Sequence, residues 1–347
     1  MSSASVRPAD CPERVGRYEV VLPLASGGMA TVYLARSYGA GGVGREVALK
    51  LMHAHLRDAP EFAQSLLDEA RLMVSIRHPN VVSVLDVGDD PRGLFLVMDL
   101  IEGDTVGGLQ KRARLDGRPV PPPVKARLLL DALAGLHAAH ESRAEDGSSH
   151  FLIHRDFSPQ NLLVGLDGVT RLTDFGVARA ATQLQRTQTG LVKGKASYMA
   201  PEQARGLPLD RRCDVWAAGV VAWELLADRR LFRADNDVAT VVRVLSETAP
   251  RLDDVVGAPG AVADAVERAL QPELDARWPT AAAFRQALLE AFRADSGVAE
   301  HEEVAGFVTA LLGERLAARR EQAATVLRER RRPAGVEREG LPEPASG

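Results

Sequence analysis

Apolar positions in the first hundred residues come in short runs. Tyr18-Glu19-Val20-Val21-Leu22, Thr31-Val32-Tyr33-Leu34-Ala35 and Glu46-Val47-Ala48-Leu49-Lys50 each predict a strand, since β-branched and aromatic residues pack well on a pleated surface. Gly27-Gly28 predicts a hairpin turn between the first two, and the glycines from Gly39 to Gly44 a looser link to the third. The period then changes. Over Glu61–Ile76, Phe62, Leu66, Ala70, Met73 and Val74 share one helical face. Strand-like runs return at Val81–Val87 and Leu94–Met98, and beyond them helices dominate. Val124–His140 predicts a strongly amphipathic helix, and Asp214–Leu226 a buried one. Val304, Phe307, Val308, Leu311, Leu312 and Leu316 form an apolar stripe on a helix in the tail. Between these elements, Asp116–Pro123 reads as a connector and Ser142–Ser149 as an exposed polar loop. Met1–Gly16 reads as a flexible leader, and Pro333 onward as disordered.

Length and composition narrow this picture. A chain of 347 residues accommodates two packed lobes and a tail, and 46% apolar residues exclude wholesale disorder. The net charge of −4 gives no global field toward nucleic acid or a membrane surface. Five of the 43 basic residues are lysines (Lys50, Lys111, Lys125, Lys193 and Lys195), so each lysine position carries information. Cys11 and Cys213 stand far apart without metal-ligand spacing, which argues against a disulfide framework or zinc site and fits a reducing cytoplasm. No apolar run approaches the roughly 20 residues of a membrane span. The first ten residues lack the apolar core of a signal peptide.

Candidate chemistry concentrates between His154 and Glu202. His154-Arg155-Asp156-Phe157-Ser158-Pro159-Gln160-Asn161 is followed by Asp174-Phe175-Gly176 and Ala200-Pro201-Glu202. An Asp and an Asn together suit a hard magnesium ion, which takes oxygen ligands and shares them with phosphates. The remaining Asp is then available to orient a hydroxyl, the division of labour that phosphoryl transfer requires. Three motifs in this order and spacing resemble the catalytic core of a protein kinase, and the resemblance extends from about Tyr18 to Phe292. It is to bacterial, eukaryotic-like (Hanks-type) serine/threonine protein kinases.

The resemblance implies an α+β bilobal fold. A β-rich small lobe with one key helix occupies about 17–98, a hinge 99–101 and a mostly helical large lobe 102–293, followed by a helical, then disordered tail over 294–347. It implies ATP and Mg²⁺ as cofactors and protein substrates as partners, with autophosphorylation of the activation segment. It implies that Asp156 orients the acceptor hydroxyl, that Asn161 and Asp174 hold Mg²⁺, and that Lys50, paired with Glu69, sets the phosphates. Leu24-Ala25-Ser26-Gly27-Gly28 and Val32 match the glycine-rich loop, Ala48 and Leu163 line the nucleotide, Met98 is the gatekeeper, and Asp99 to Ile101 receive adenine. Asp214 matches the residue that holds the catalytic-loop backbone, a role that can stand beside that of N-cap to its helix, and Arg277 matches the partner of Glu202.

The chain departs from the family at informative places. Ala25 and Ala30 replace the outer loop glycines, which predicts a stiffer loop or one farther from the phosphates. Ser158 stands where the family has a lysine and Lys195 where it has a threonine, so the two functions are read as exchanged, with Lys195 reaching the transferring phosphate. The same departures support an alternative, a pseudokinase-like scaffold that binds nucleotide without transferring phosphate. Arg155 is expected to dock a phosphothreonine at Thr182, Thr187 or Thr189. His137 and His140 share a helix face, but no carboxylate or Cys completes a metal site. The tail stripe is read as a helix lying on the large lobe with a frayed basic end at Arg328–Arg332; a partner-binding or self-associating helix is the other reading.

Overall fold

The computed structural model describes residues 11–39, 41–53, 70, 72–143, 147, 150, 152–174 and 196–331. Six strands form the small-lobe sheet: β1 (Arg14–Val15), β2 (Tyr18–Ser26), β3 (Ala30–Tyr38), β4 (Gly44–Met52), β5 (Val84–Asp90) and β6 (Gly93–Asp99). They pair antiparallel in the order β1-β2-β3-β4-β6-β5. Alternation sorts their side chains. Val47, Leu49 and Leu51 join Tyr18, Tyr33 and Phe95 on one face, while Ala48 and Met52 turn to the other and merge with the core of the large lobe. The two-residue period puts Lys50 on that second face, toward the cleft. The run expected as a strand from Val81 pairs in the sheet only from Val84; Val81 makes a single parallel bridge to Leu172 of the large lobe. Most of the expected helix over 61–76 lies outside the described residues, but Ala70 and 72–74 are helical, and Ala70 and Met73 are buried in the shared core.

The large lobe opens with β7 (Gly103–Thr105) and helix α1 (Val106–Leu115), which the apolar pattern did not predict. Gly107-Gly108 obscured it, being poor helix formers. The signal was Thr105, whose hydroxyl accepts the Gly108 N–H at 2.9 Å as an N-cap. Helix α2 (Pro122–His140) starts inside the stretch read as a connector, with proline in its first turn where a missing N–H costs nothing. Nor is it amphipathic: buried residues occupy most of its circumference. A Cβ on its Gly135 would lie 2.1 Å from the Asn80 carbonyl oxygen, so only glycine permits this approach to the small-lobe boundary.

Strands β8 (Leu162–Gly165) and β9 (Thr170–Leu172) complete a three-stranded sheet, β7-β8-β9. Helices α3 (Pro201–Ala204), α4 (Arg212–Ala227), α5 (Asp237–Ser246), α6 (Leu252–Val256), α7 (Gly260–Ala269) and α8 (Ala281–Ala294) follow. The last helix, α9 (His301–Arg331), runs from one lobe to the other. Val304, Val308, Leu311, Leu312 and Leu316 enter the main core, while Ala323, Val326 and Leu327 pack on Val21, Leu22 and Leu34 of the small lobe. Arg315 meets Asp104 at 3.0 Å and Arg320 grips Glu102 at 2.6 and 2.7 Å. Arg330 meets Glu19 at 2.9 Å and the Val20 carbonyl at 2.7 Å. The expectation of a frayed charged end from Arg328 is therefore corrected: through Arg330 that end is docked on the small lobe. Its apolar stripe is covered by the chain itself. No described helix is long and apolar enough to cross a membrane.

Candidate active site

The catalytic loop lies between α2 and β8 and is held from below by one carboxylate. Asp214, in the first turn of α4, is 1% exposed. Its Oδ2 accepts the His154 N–H at 2.7 Å and His140 Nε2 at 2.8 Å, and its Oδ1 accepts the Arg155 N–H at 2.7 Å. It does not cap the helix, whose cap position is Arg211, so only the backbone-holding expectation stands. Burial alone would raise this carboxyl's pKa, but the hydrogen bond from His140 and the amide of His154 together hold it below the ordinary value. His140 thereby has a role unrelated to a metal.

Held this way, Arg155 takes a left-handed backbone, φ 64°, and Asp174 does the same at φ 63°. Each such residue costs about 1–3 kcal/mol and persists only where its surroundings over-determine it. For Arg155 they do: the amide is held by Asp214 and the carbonyl accepts Gln203 Nε2 at 3.3 Å. His154 links the two loops, its Nδ1 accepting the Asp156 N–H at 3.2 Å and its Nε2 donating to the Thr173 carbonyl at 3.0 Å. Those partners fix the Nε2–H tautomer.

The reactive groups converge above this base. Asn161 donates its amide to both the Asp156 carbonyl and Asp156 Oδ2, each at 2.8 Å. Lys50, from β4, meets Asp174 Oδ1 at 2.7 Å. With both amide hydrogens of Asn161 committed to Asp156, its Oδ1 faces away from that carboxylate. The amide oxygen of Asn161 and the carboxylate of Asp174 are hard-oxygen donors, a set whose chemistry fits Mg²⁺. Ser158 is buried, and its carbonyl accepts the Asn161 N–H at 3.0 Å, which turns Asn161 toward Asp156. Glu69, Phe175, Gly176, Thr182, Thr187, Thr189, Gly194 and Lys195 lie outside the described residues.

Several of the positions expected to face nucleotide also gather. Ala48 and Met98, paired in register across β4 and β6, are buried in one apolar cluster, with Val32, Ile101 and Leu163 packed against it. Leu24 packs instead with the cluster beneath α9. A cavity of only about 10 Å³ lies among Lys50, Met73, Met98 and Asp174, room for no more than a water, so Met98 closes the back of the cleft. At the hinge, the Asp99 N–H is committed to the Ser83 carbonyl at 3.0 Å and its carboxylate to Arg45 at 2.6 Å. Ala25 and Ala30 lie within β2 and β3, in register with Val32 and Met52, and neither takes the positive φ that would call for glycine. At the turn itself, a Cβ on Gly28 would meet nothing within 4 Å and neither Gly27 nor Gly28 has positive φ. Packing within the chain therefore does not demand glycine there.

Glu202 and Arg277 form a two-pronged pair at 2.7 and 2.8 Å, with both residues buried. Two features went unread in the sequence. Buried Lys125 meets Asp228 at 2.6 Å, although its rarity as a lysine was the available signal. Glu224 accepts from the Tyr198 hydroxyl at 2.8 Å and from Arg230 at 2.9 Å, and burial pushes the Tyr198 phenol well up.

Comparison with known proteins bears on the family and the fold. The family model described as protein kinase domain matches residues 18–319. The chain is 39% identical over 274 residues to "Tyrosine-protein kinase MasK" of Myxococcus xanthus, covering 79% of this chain and 42% of that protein. It is 36% identical to "Serine/threonine-protein kinase PknL" of Mycobacterium bovis, over 69% of this chain and 56% of that one. The chain thus spans about half the length of these curated relatives. Among solved structures, the PknI kinase domain of Mycobacterium tuberculosis superposes with a TM-score of 0.60 at 24% identity, covering 84% of this chain and 100% of that domain.

Proposed function

Because the chain belongs to the protein kinase family, we propose that it transfers the γ-phosphoryl group of ATP to Ser and Thr hydroxyls of proteins in bacterial signalling, its own activation segment included. The observation that carries this reading is the convergence of Asn161 on Asp156 and of Lys50 on Asp174. In it, Asp156 orients the acceptor hydroxyl and receives its proton, while the Lys50 ammonium neutralises phosphate oxygens. Asn161 and Asp174 are the residues that would hold Mg²⁺, which supplies charge neutralisation at the phosphates. The site is built for positioning, which is most of what this reaction asks of a protein. Cytoplasmic location is part of the proposal, in keeping with the ATP requirement and with two free cysteines.

The test is incubation of the purified chain with labelled ATP, Mg²⁺ and protein acceptors offering Ser, Thr or Tyr, beside Asp174→Asn. Label on Ser and Thr, absent in the variant, is the expected result. Label on Tyr alone would move the chain toward the activity named for its Myxococcus relative. Nucleotide binding without any label would make it the scaffold of the alternative reading.

A further inference from the structure

An open groove of about 760 Å³ lies beside the catalytic loop. Pro159 and Gln160, shortly after Asp156, form one wall. Helix α1 forms another and is fixed to the loop by the Gly107 N–H on the Pro159 carbonyl at 3.1 Å. The turn after α4 and one residue of α5 complete it. Its charge is one-sided: Lys111 and Arg114 come from α1, Arg229, Arg230 and Arg233 from the turn, and Arg243 from α5.

Both acidic residues in the lining are occupied. Glu224 accepts from Tyr198, Arg230 and the Leu231 N–H, and Asp228 is bound by Lys125. Arg243 is paired with Glu247 at 3.1 Å. Lys111, Arg229 and Arg233 are exposed and face no carboxylate among the described residues; Arg229 lies over the Trp223 ring at 5.3 Å. Residues 175–201, which lead from Asp174 to Glu202, contain no Asp or Glu either.

We propose that this groove recognises an acidic flank of the protein substrate, by carboxylate or phosphate groups on residues near the acceptor hydroxyl. The proposal rests on the phosphotransfer reading above. A concave wall of one sign focuses its field and raises the local concentration of the opposite charge. Arginine forks match carboxylate and phosphate alike. A basic flank would meet repulsion here, because Arg230 already takes the carboxylate it would need. Nucleic acid is the poorer occupant, since the lining offers no aromatic ring on which a base could stack.

The experiment uses the whole chain and fluorescent peptides with one Thr acceptor, flanked by Asp and Glu, by phosphoserine, by neutral residues, or by Lys and Arg. Binding is read by anisotropy and phosphate transfer is read separately. Acid-flanked peptides should bind about tenfold more tightly than neutral ones at low salt, a margin that shrinks as salt screens exposed pairs. Whichever of the Asp/Glu and phosphoserine peptides binds better identifies the natural group. A Lys111→Glu, Arg229→Glu, Arg233→Glu variant with an unchanged melting temperature should reverse the order of acidic and basic peptides. Equal binding of all classes, preference for the basic peptide, or easier displacement by single-stranded oligonucleotide than by acidic peptide would overturn the proposal. Acid-selective binding without any transfer would sink the phosphotransfer reading alone, and transfer without acid selectivity would sink the groove alone.

Discussion

At the scale of single residues, Asp214 and Asp174 do opposite work. Asp214 is a buried acceptor for three donors, and Asn would present one acceptor and an N–H group to them. Leaving buried donors unmatched costs about 1–3 kcal/mol each, so Asp214→Asn should lower unfolding free energy by about 2–4 kcal/mol in a urea titration and free Arg155 from its strained backbone. The charge also sets a pH dependence. The folded state holds the Asp214 pKa below its ordinary 3.8, so its contribution is complete above that value and is lost as pH falls through the lower, folded one. The wild-type advantage over Asp214→Asn should therefore shrink in acid below about pH 4 and stay level above pH 5. Asp174 sits at the open side of the site with 31% of its side chain exposed. Asp174→Asn keeps an acceptor for Lys50 and should cost only about 1 kcal/mol of stability while abolishing phosphate transfer, a split that melting and turnover measured together would show. The roles proposed for Asp156, Asn161 and Asp174 come from motif order. The Lys50–Asp174 contact was not legible in the sequence, since the resemblance directed attention to Glu69 and no local spacing joins residues so far apart.

At the scale of elements, α2 shows why periodicity misreads a central helix. Its Lys125, Asp131 and His140 are polar, yet each is buried with a partner: Lys125 with Asp228, Asp131 with the Thr170 N–H at 3.1 Å and His301 at 3.0 Å, His140 with Asp214. Burial raises the Asp131 carboxyl in spite of those donors, a sign of how far the helix is removed from water. Partners of this kind are distant in sequence, and a pattern of apolar and polar letters cannot register them. The strands were easier, because alternation along β4 alone places Lys50 toward the cleft. Gly135 gives the sharpest test of the α2 packing. In an isolated helix, Gly→Ala gains about 1 kcal/mol, but here the new Cβ would press on the Asn80 carbonyl at 2.1 Å. Overpacking of that kind costs about 1–3 kcal/mol, so backbone clash should win and Gly135→Ala should be destabilising by chemical denaturation. A stabilised variant would mean that α2 and the segment at Asn80 separate easily.

At the scale of the whole molecule, α9 ties the two lobes together beside the segment through Asp99 to Ile101 and the bridge of Val81 to Leu172. The stripe at the start of α9 was legible from its spacing. The docking of its far end was not, because Val21, Leu22 and Leu34 become one surface only after the sheet has formed. Two contributions hold the second half of α9, from Arg315 on: the ion pairs of Arg315 and Arg320 with the large lobe and of Arg330 with the small lobe, and the apolar contacts. Arg320 and Glu102 keep 57% and 41% of their side-chain exposure, and pairs so exposed contribute about 0–1 kcal/mol each. Leu316, Val326 and Leu327 are each buried, and full burial of such a side chain gives about 1.5–3 kcal/mol. The apolar contacts should therefore dominate. A chain ending at Gly313 should lose at least about 3 kcal/mol, with hydrogen exchange rising in β2 and β3 while α4, enclosed in the large lobe, stays protected. A variant with Arg315→Ala, Arg320→Ala and Arg330→Ala in the untruncated 347-residue chain should lose only about 1–2 kcal/mol. If the charge variant melts as low as the truncation, the ranking is reversed and α9 is held by its arginines. If neither variant changes exchange in β2 and β3, the small lobe is stable without α9 and the hinge alone sets the angle between the lobes.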